Sequence, residues 1–150
     1  MTAARNIRTN FSFYPSPGPE AGWGSSLESL ERALREAFPD PYIDYRTSAV
    51  HSMTVLDFEA VLAPDVVVNG TAAVQGSDYA YITLIDVTAD EAGVFALWLR
   101  DRFTPAQHAV WFASSLAMAN GEDAPTALTV DGDVAEVTRQ LREHLTAIDE

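Results

Sequence analysis

The chain has 150 residues, 47% of them hydrophobic, and 22 acidic against nine basic side chains give it a formal net charge of −13. This length predicts one domain, residues 1–150, that can bury roughly 70% of the unfolded chain's surface. Every basic residue is arginine and cysteine is absent. Lysine chemistry, a P-loop, thiol catalysis, disulfides and thiolate metal sites are therefore excluded.

The negative charge also limits the partners of this protein. A field of this sign repels nucleic-acid phosphates and anionic membrane surfaces. The uncharged apolar stretches are shorter than the roughly 18–20 residues of a membrane span, and no apolar segment of a secretory signal follows the first residues. We therefore expect a cytoplasmic protein that binds neither nucleic acid nor membrane.

The first quarter of the chain predicts a strand, a loop and a helix. Residues 7–14 alternate between apolar and polar side chains, the pattern of a half-buried strand. Residues 15–25 are rich in Pro and Gly and predict a loop. Ser25 and Glu28 have the spacing of a capping box, so a helix should begin there and end at Pro39.

The middle of the chain predicts consecutive antiparallel strands. They are expected at 42–50, 53–62, 66–68, 71–74 and 79–87. The dipeptide Asn69-Gly70 suits a type I′ hairpin turn, because both central residues of that turn need positive φ. Tight turns between most of these segments indicate a meander.

The last third of the chain changes to helical spacing. Thr88 and Glu91 form a second capping box, and Pro105 should open an apolar helix that runs to Ala119 and is the most buried. A short edge strand is expected at 126–130, and then a helix capped by Asp133. The fold class is α+β, a mainly antiparallel sheet of about five strands with three to four helices packed on one face.

Three histidines are candidates for acid–base chemistry. His51 lies at a strand junction and His108 on the predicted apolar helix, where a shifted pKa could serve a pocket. Simpler interpretations are a polar turn residue for His51 and a ring bonded to a backbone carbonyl for His108. His144 is expected on a solvated helix face. The spacing of His, Asp and Glu completes no metal motif, so we expect no metal and no cofactor.

The tryptophans divide into two kinds. Trp98 and Trp111 lie in apolar runs at helical spacing and are expected in the core. Trp23 lies in the Pro/Gly-rich loop, where it either anchors a partner or folds back and is buried.

One hypothesis is a small acidic, non-enzymatic binding protein that neutralises a basic protein. Its charge and size, though no motif, are those of immunity partners of nuclease-type toxins and of acidic secretion chaperones. The residues expected to bind the partner are Tyr14, Trp23, Asp86, Asp90, Glu91, Glu122 and Asp123. A solvated face with helix-start carboxylates would explain the acidic members equally well.

The alternative hypothesis is a small enzyme with an apolar pocket between a curved sheet and a helix. His51 or His108 would pair with Asp57 or Glu59 and move a proton on an apolar small molecule. Neither hypothesis fixes the oligomeric state, so a homodimer stays open.

Overall fold

The structure is a computed structural model that describes residues 7–15, 27–48, 53–64, 66–75, 78–103, 110–121, 125–129 and 132–149. The strands formed by these residues are β1 (Thr9–Pro15), β2 (Tyr42–Ser48), β3 (Met53–Ala63), β4 (Val66–Gln75), β5 (Asp78–Val87), β6 (Val110–Ser114) and β7 (Thr126–Ala127). The helices are α1 (Leu27–Ala37), α2 (Ala89–Trp98), α3 (Ser115–Ala119) and α4 (Val134–Asp149), and a π-helical turn, Leu99–Phe103, continues α2.

The described strands form one antiparallel sheet in the order β2-β3-β4-β5-β1-β6-β7. The α+β class and the antiparallel sheet are thereby confirmed. The sheet is wider than the expected five or so strands, because it has seven. β1 lies inside the sheet between β5 and β6, so the first strand of the chain joins the meander to the C-terminal strands.

The hydrophobic core lies between one face of the sheet and the helices. Alternate residues of each strand point to this face, as the two-residue period of a strand requires. The strand residues in the core are Phe11, Phe13, Leu56, Phe58, Ala60, Val68, Ala72, Ile82, Leu84, Val110 and Phe112. Phe95 of α2 packs on Phe58 with ring centroids 5.9 Å apart, and Leu30 of α1 and Leu141 of α4 belong to the same cluster.

The helix-start signals at Thr88 and Asp133 are confirmed. Thr88 Oγ1 accepts the Glu91 N–H at 3.2 Å, and the Glu91 carboxylate accepts the Thr88 N–H at 3.0 Å, which is a complete capping box. Asp133 Oδ1 accepts the N–H of Ala135 at 3.1 Å at the start of α4. These bonds satisfy donors that the first turn of a helix leaves free.

The predicted helix from Pro105 to Ala119 is wrong at residues 110–114 and correct at Ser115–Ala119. Residues 110–114 form strand β6, and only Ser115–Ala119 is helical. Val110 and Phe112 face the core, while Ala113 is buried on the opposite face. A short run buried on both sides of a sheet has no polar alternation, so its pattern is that of a buried helix.

The predicted hairpin turn at Asn69-Gly70 is also wrong, since both residues lie inside the continuous strand β4. Gly70 pairs with Phe58 of β3. A Cβ atom on Gly70 would come within 3.0 Å of three atoms of the Phe58 ring. The glycine therefore makes room for an aromatic ring on the neighbouring strand, as glycine does where another group approaches the backbone closely.

Several predictions fall outside the described residues. They include Ser25 as a helix cap and, apart from Pro15, the loop at 15–25. Among the described helices, none has the length and apolar character that a membrane crossing requires.

Candidate functional site

The face of the sheet opposite the core, called the helix-free face here, carries the alternate residues of β1 to β6. None of the described helices contributes core residues to this side. One row of paired residues crosses it as Ala113, Ser12, Thr83, Thr71, Asp57 and Asp44. Asp44 is exposed, the four polar residues from Asp57 to Ser12 are half-buried, and Ala113 is buried, so most of this row is shielded from solvent.

Hydrogen bonds order part of this polar row. The hydroxyls of Ser12 and Thr83 lie 2.7 Å apart, and Asp57 accepts a hydrogen bond from Arg46 Nε at 2.6 Å. The Thr71 hydroxyl between them is buried and has no hydrogen-bond partner among the described residues. A buried polar atom without a partner costs about 1–3 kcal/mol.

Aromatic residues occupy the part of the helix-free face near β6. Tyr14 pairs with Trp111, and the pairing of Phe13 with Ile82 brings Tyr14 next to Tyr81. These three aromatic residues are half-buried. Trp111 was expected in the core and instead lies here, with an indole N–H that is buried and unpaired.

Exposed apolar side chains gather at the other end of the same face. Val61 pairs with Val67, while Glu59 pairs with both Asn69 and Tyr42, and Asn69 pairs with Ile85. The four apolar members, Tyr42, Val61, Val67 and Ile85, are 60%, 38%, 46% and 44% exposed. We call them, with Glu59 and Asn69, the β3 patch. Glu59 and Asn69 lie between Tyr42 and Ile85 in this cluster. A group of exposed apolar side chains is typical of an interaction site.

The described members of the predicted acidic cluster, Asp86, Asp90 and Glu91, lie where β5 passes into α2. Asp86 directly follows Ile85 of the β3 patch and has a φ of 56°. Arg8 donates to the Asp86 carbonyl at 2.6 Å and lies 3.4 Å from the Glu91 carboxylate. Asp90 forms an ion pair with Arg142. Arginines therefore offset part of this cluster's charge.

Other predicted site residues divide between the helix-free face and the part of the chain that is not described. Tyr14, Asp57 and Glu59 lie on that face, but the two carboxylates belong to different rows. Trp23, His51, His108, Glu122 and Asp123 lie outside the described residues. The structure thus leaves the acid–base pair of the enzyme hypothesis without a described histidine.

Arg46 and Asp57 form an ion pair that stabilises the pairing of β2 with β3. The hydrogen bond and the charge of Asp57 raise the pKa of the Arg46 guanidinium. Asp57 also lies directly opposite Asp44 across β2 and β3. Like charges that face each other across strands are destabilising, and Arg46 offsets this repulsion.

His144 differs from its expected solvated position. It is half-buried on α4, where its ring packs edge-on against Phe112 at 5.1 Å between centroids. Its Nε2 atom lies 3.0 Å from the hydroxyl of Ser114. Ser114 is only 1% exposed and its hydroxyl also accepts the N–H of Ala117. This Ser–His pair joins β6 to α4, and its serine is buried.

An open cleft of about 460 Å³ lies on the helix side, between α1 and the π-helical turn. Phe38 and Trp98 form its apolar wall, with ring centroids 5.3 Å apart, and Arg102 lines it as well. Trp98 also stacks on Phe103 and packs against the core, as its apolar surroundings predicted.

Among the described residues, no three His, Asp or Glu side chains are grouped to hold a metal ion.

Register, which sequence patterns do not reveal, is what assembles the β3 patch. Val61, Val67 and Ile85 are ordinary strand residues in the sequence, and only the pairing of β3, β4 and β5 brings them together.

Comparisons with known proteins add no assignment, since the chain matches no protein-family model, no curated protein and no solved structure.

Proposed function

We propose that this chain is a non-enzymatic binding protein whose β3 patch docks a basic protein and neutralises it, as an immunity-type inhibitor would. The observation that carries the proposal is the group of four exposed apolar side chains around Glu59. Interfaces combine apolar contacts with polar and charged groups. A complementary partner presents apolar side chains around a Lys or Arg that faces Glu59.

The charge near the patch supports a cationic partner. Glu59 is exposed within it, Asp44 lies two residues from Tyr42, and Asp86 follows Ile85. The whole molecule adds a net charge of −13. Such a field accelerates encounter with a basic protein and gives specificity, while the apolar contacts slow dissociation.

Ion pairing within the chain distinguishes Glu59 of the β3 patch from the acidic residues of α2. Glu91 and Asp90 are ion-paired with Arg8 and Arg142, so part of their charge is already used within the chain. We infer that Glu59 contributes more to the docking of a cationic partner than either of them.

The test is a titration of the protein against the basic proteins encoded beside its gene, by isothermal calorimetry. Cytochrome c serves as the control for attraction by charge alone. We expect Glu59→Arg to weaken binding of the specific partner at least about tenfold, or 1.4 kcal/mol. The matched variant Glu36→Arg, on α1 in the opposite layer, changes the net charge equally and should leave affinity within about threefold.

A second matched pair tests the apolar part of the patch. Val61 on β3 and Val134 on α4 are both 38% exposed. Val61→Ser should weaken binding, whereas Val134→Ser should not. Equal losses from both members of either pair would show that the β3 patch is not the site. Failure of every neighbouring basic protein to bind better than cytochrome c, even at low salt, would overturn the function.

A further inference from the structure

β2 is the edge strand of the sheet, and in the described part of the chain no strand pairs with its outer side. Its residues 44–47 are exposed, and Tyr42 at its start is 60% exposed. α1 packs over β3 and β4 and reaches this rim through the hydrogen bond that Tyr45 donates to Glu31. An uncovered edge presents a row of backbone donors and acceptors to another strand.

The charges on β2 have opposite signs and are two residues apart. Asp44 and Arg46 therefore point to the same face of the strand, the helix-free face. Arg46 is bonded to Asp57, while Asp44 forms no ion pair with any described residue and lies opposite the carboxylate of Asp57. A cation beside Asp44 would relieve that repulsion.

We propose that a second copy of this chain pairs with β2 in antiparallel orientation about Tyr45 and forms a homodimer. This register places Asp44 directly opposite Arg46 of the second copy, and Arg46 opposite its Asp44. Two-fold symmetry produces both ion pairs, because the same strand lies on each side of the interface and every contact therefore occurs twice. Like charges facing each other across the two β2 strands would repel, whereas Asp44 and Arg46 of the two copies attract each other.

The two-fold axis of such a pair is perpendicular to the sheet. The two helix-free faces consequently lie on the same side of one sheet of twice the width, with a β3 patch on each half. The dimer rests on the β2 edge alone and does not depend on the basic partner. Its failure would leave the proposed function unchanged, and the reverse also holds.

Sedimentation velocity of the full chain, from about 1 to about 500 µM, tests the proposal, because dimer formation depends on protomer concentration. We expect a monomer–dimer equilibrium in the unaltered protein. Asp44→Arg places two arginines opposite each other, and Arg46→Asp places two aspartates. Each should raise the dimer dissociation constant at least about tenfold.

The double variant Asp44→Arg/Arg46→Asp exchanges the two charges and should restore dimerisation to within about threefold. Glu36→Arg on α1 changes the net charge as Asp44→Arg does and should leave the dimer intact. Asp44→Arg keeps the Arg46–Asp57 bond, so its fold should be unchanged by circular dichroism. A monomer at all concentrations, single variants that dimerise normally, or a folded double variant that stays monomeric would overturn the proposal.

Discussion

Two threonines that face each other across β4 and β5 differ in a single hydrogen bond. Thr83 shares a bond of 2.7 Å with Ser12, whereas the buried hydroxyl of Thr71 has no partner. We expect Thr71→Val to raise the free energy of unfolding by about 1 kcal/mol, because it removes an unsatisfied polar atom at nearly constant shape.

Thr83→Val serves as the matched control for that substitution. It should lower the free energy of unfolding by about 1 kcal/mol or more, since Ser12 would lose its partner. Urea denaturation of both variants measures the two signs. A loss of stability in Thr71→Val similar to that of Thr83→Val would mean that the Thr71 hydroxyl is satisfied.

The phenol of Tyr45 provides a prediction about pH. Partial burial, followed by the hydrogen bond of 2.7 Å that it donates to Glu31, raises the pKa of Tyr45 to about 12. The difference in phenolate absorbance between the unaltered protein and Tyr45→Phe should therefore titrate near 12. Glu31→Gln should move that curve toward 10, the ordinary value. A midpoint near 10 in the unaltered protein would contradict this environment.

The direction of these shifts fixes how stability changes with pH. A raised pKa of Tyr45 means that the fold favours the neutral phenol, so this contribution is complete below pH 10 and disappears as the pH rises toward 12. The same hydrogen bond, together with Arg35, lowers the pKa of the Glu31 carboxyl. That contribution is present above the ordinary value of 4.5 and is lost as the pH falls below it.

Among the elements, α2 and α4 approach each other closely at Gly93. A Cβ atom there would lie 3.1 Å from Thr138 Cβ and 3.2 Å from its Cα, which is backbone and cannot rotate away. We expect Gly93→Ala to lower the free energy of unfolding by about 1–3 kcal/mol, because crowding outweighs the gain in helix propensity of about 1 kcal/mol.

Thermal unfolding of Gly93→Ala, alone and combined with Thr138→Ala, measures this crowding. The second substitution removes the threonine branch but leaves Cβ in place, so it should recover part of the loss and show coupling between the two sites. A net increase in stability for Gly93→Ala would show that the two helices are further apart.

Elements with a regular period and a local start signal could be predicted from the sequence. Strand β1, the stripe of Leu27, Leu30 and Leu34, and the caps at Thr88 and Asp133 follow from such local rules. The errors at Val110–Ser114 and Asn69-Gly70 share one cause. Both segments pair with strands that are distant in sequence, and Gly70 packs against Phe58, so long-range pairing overrides the local pattern.

At the scale of the whole molecule, the candidate site depends on long-range pairing. Tyr14 could be selected from its place in the sequence, but the β3 patch requires the register that pairs Glu59 with Asn69 and Asn69 with Ile85. A shift of one residue in that register would turn the apolar side chains to the core face. The sheet order, with β1 between β5 and β6, is likewise set by the packed core.

The charge of the whole molecule leads to opposite effects of salt on folding and on binding. The net charge of −13 repels itself in the folded state, and exposed ion pairs such as Arg139–Glu136 offset little of this repulsion because solvent screens them. Sodium chloride should therefore raise the melting temperature, by about 2–4 °C for each kcal/mol of repulsion that it screens. In the same titration, affinity for a basic partner should fall, because screening removes the attraction between the two proteins.

Calorimetric melting and binding at increasing salt measure both effects on one preparation. The variant Glu28→Gln/Glu36→Gln, altered on α1 away from the β3 patch, should gain less melting temperature from salt because less repulsion remains to be screened. A melting temperature that falls with salt would mean that the ion pairs outweigh the repulsion. Binding that strengthens with salt would mean that the apolar contacts of the patch, rather than its charge, select the partner.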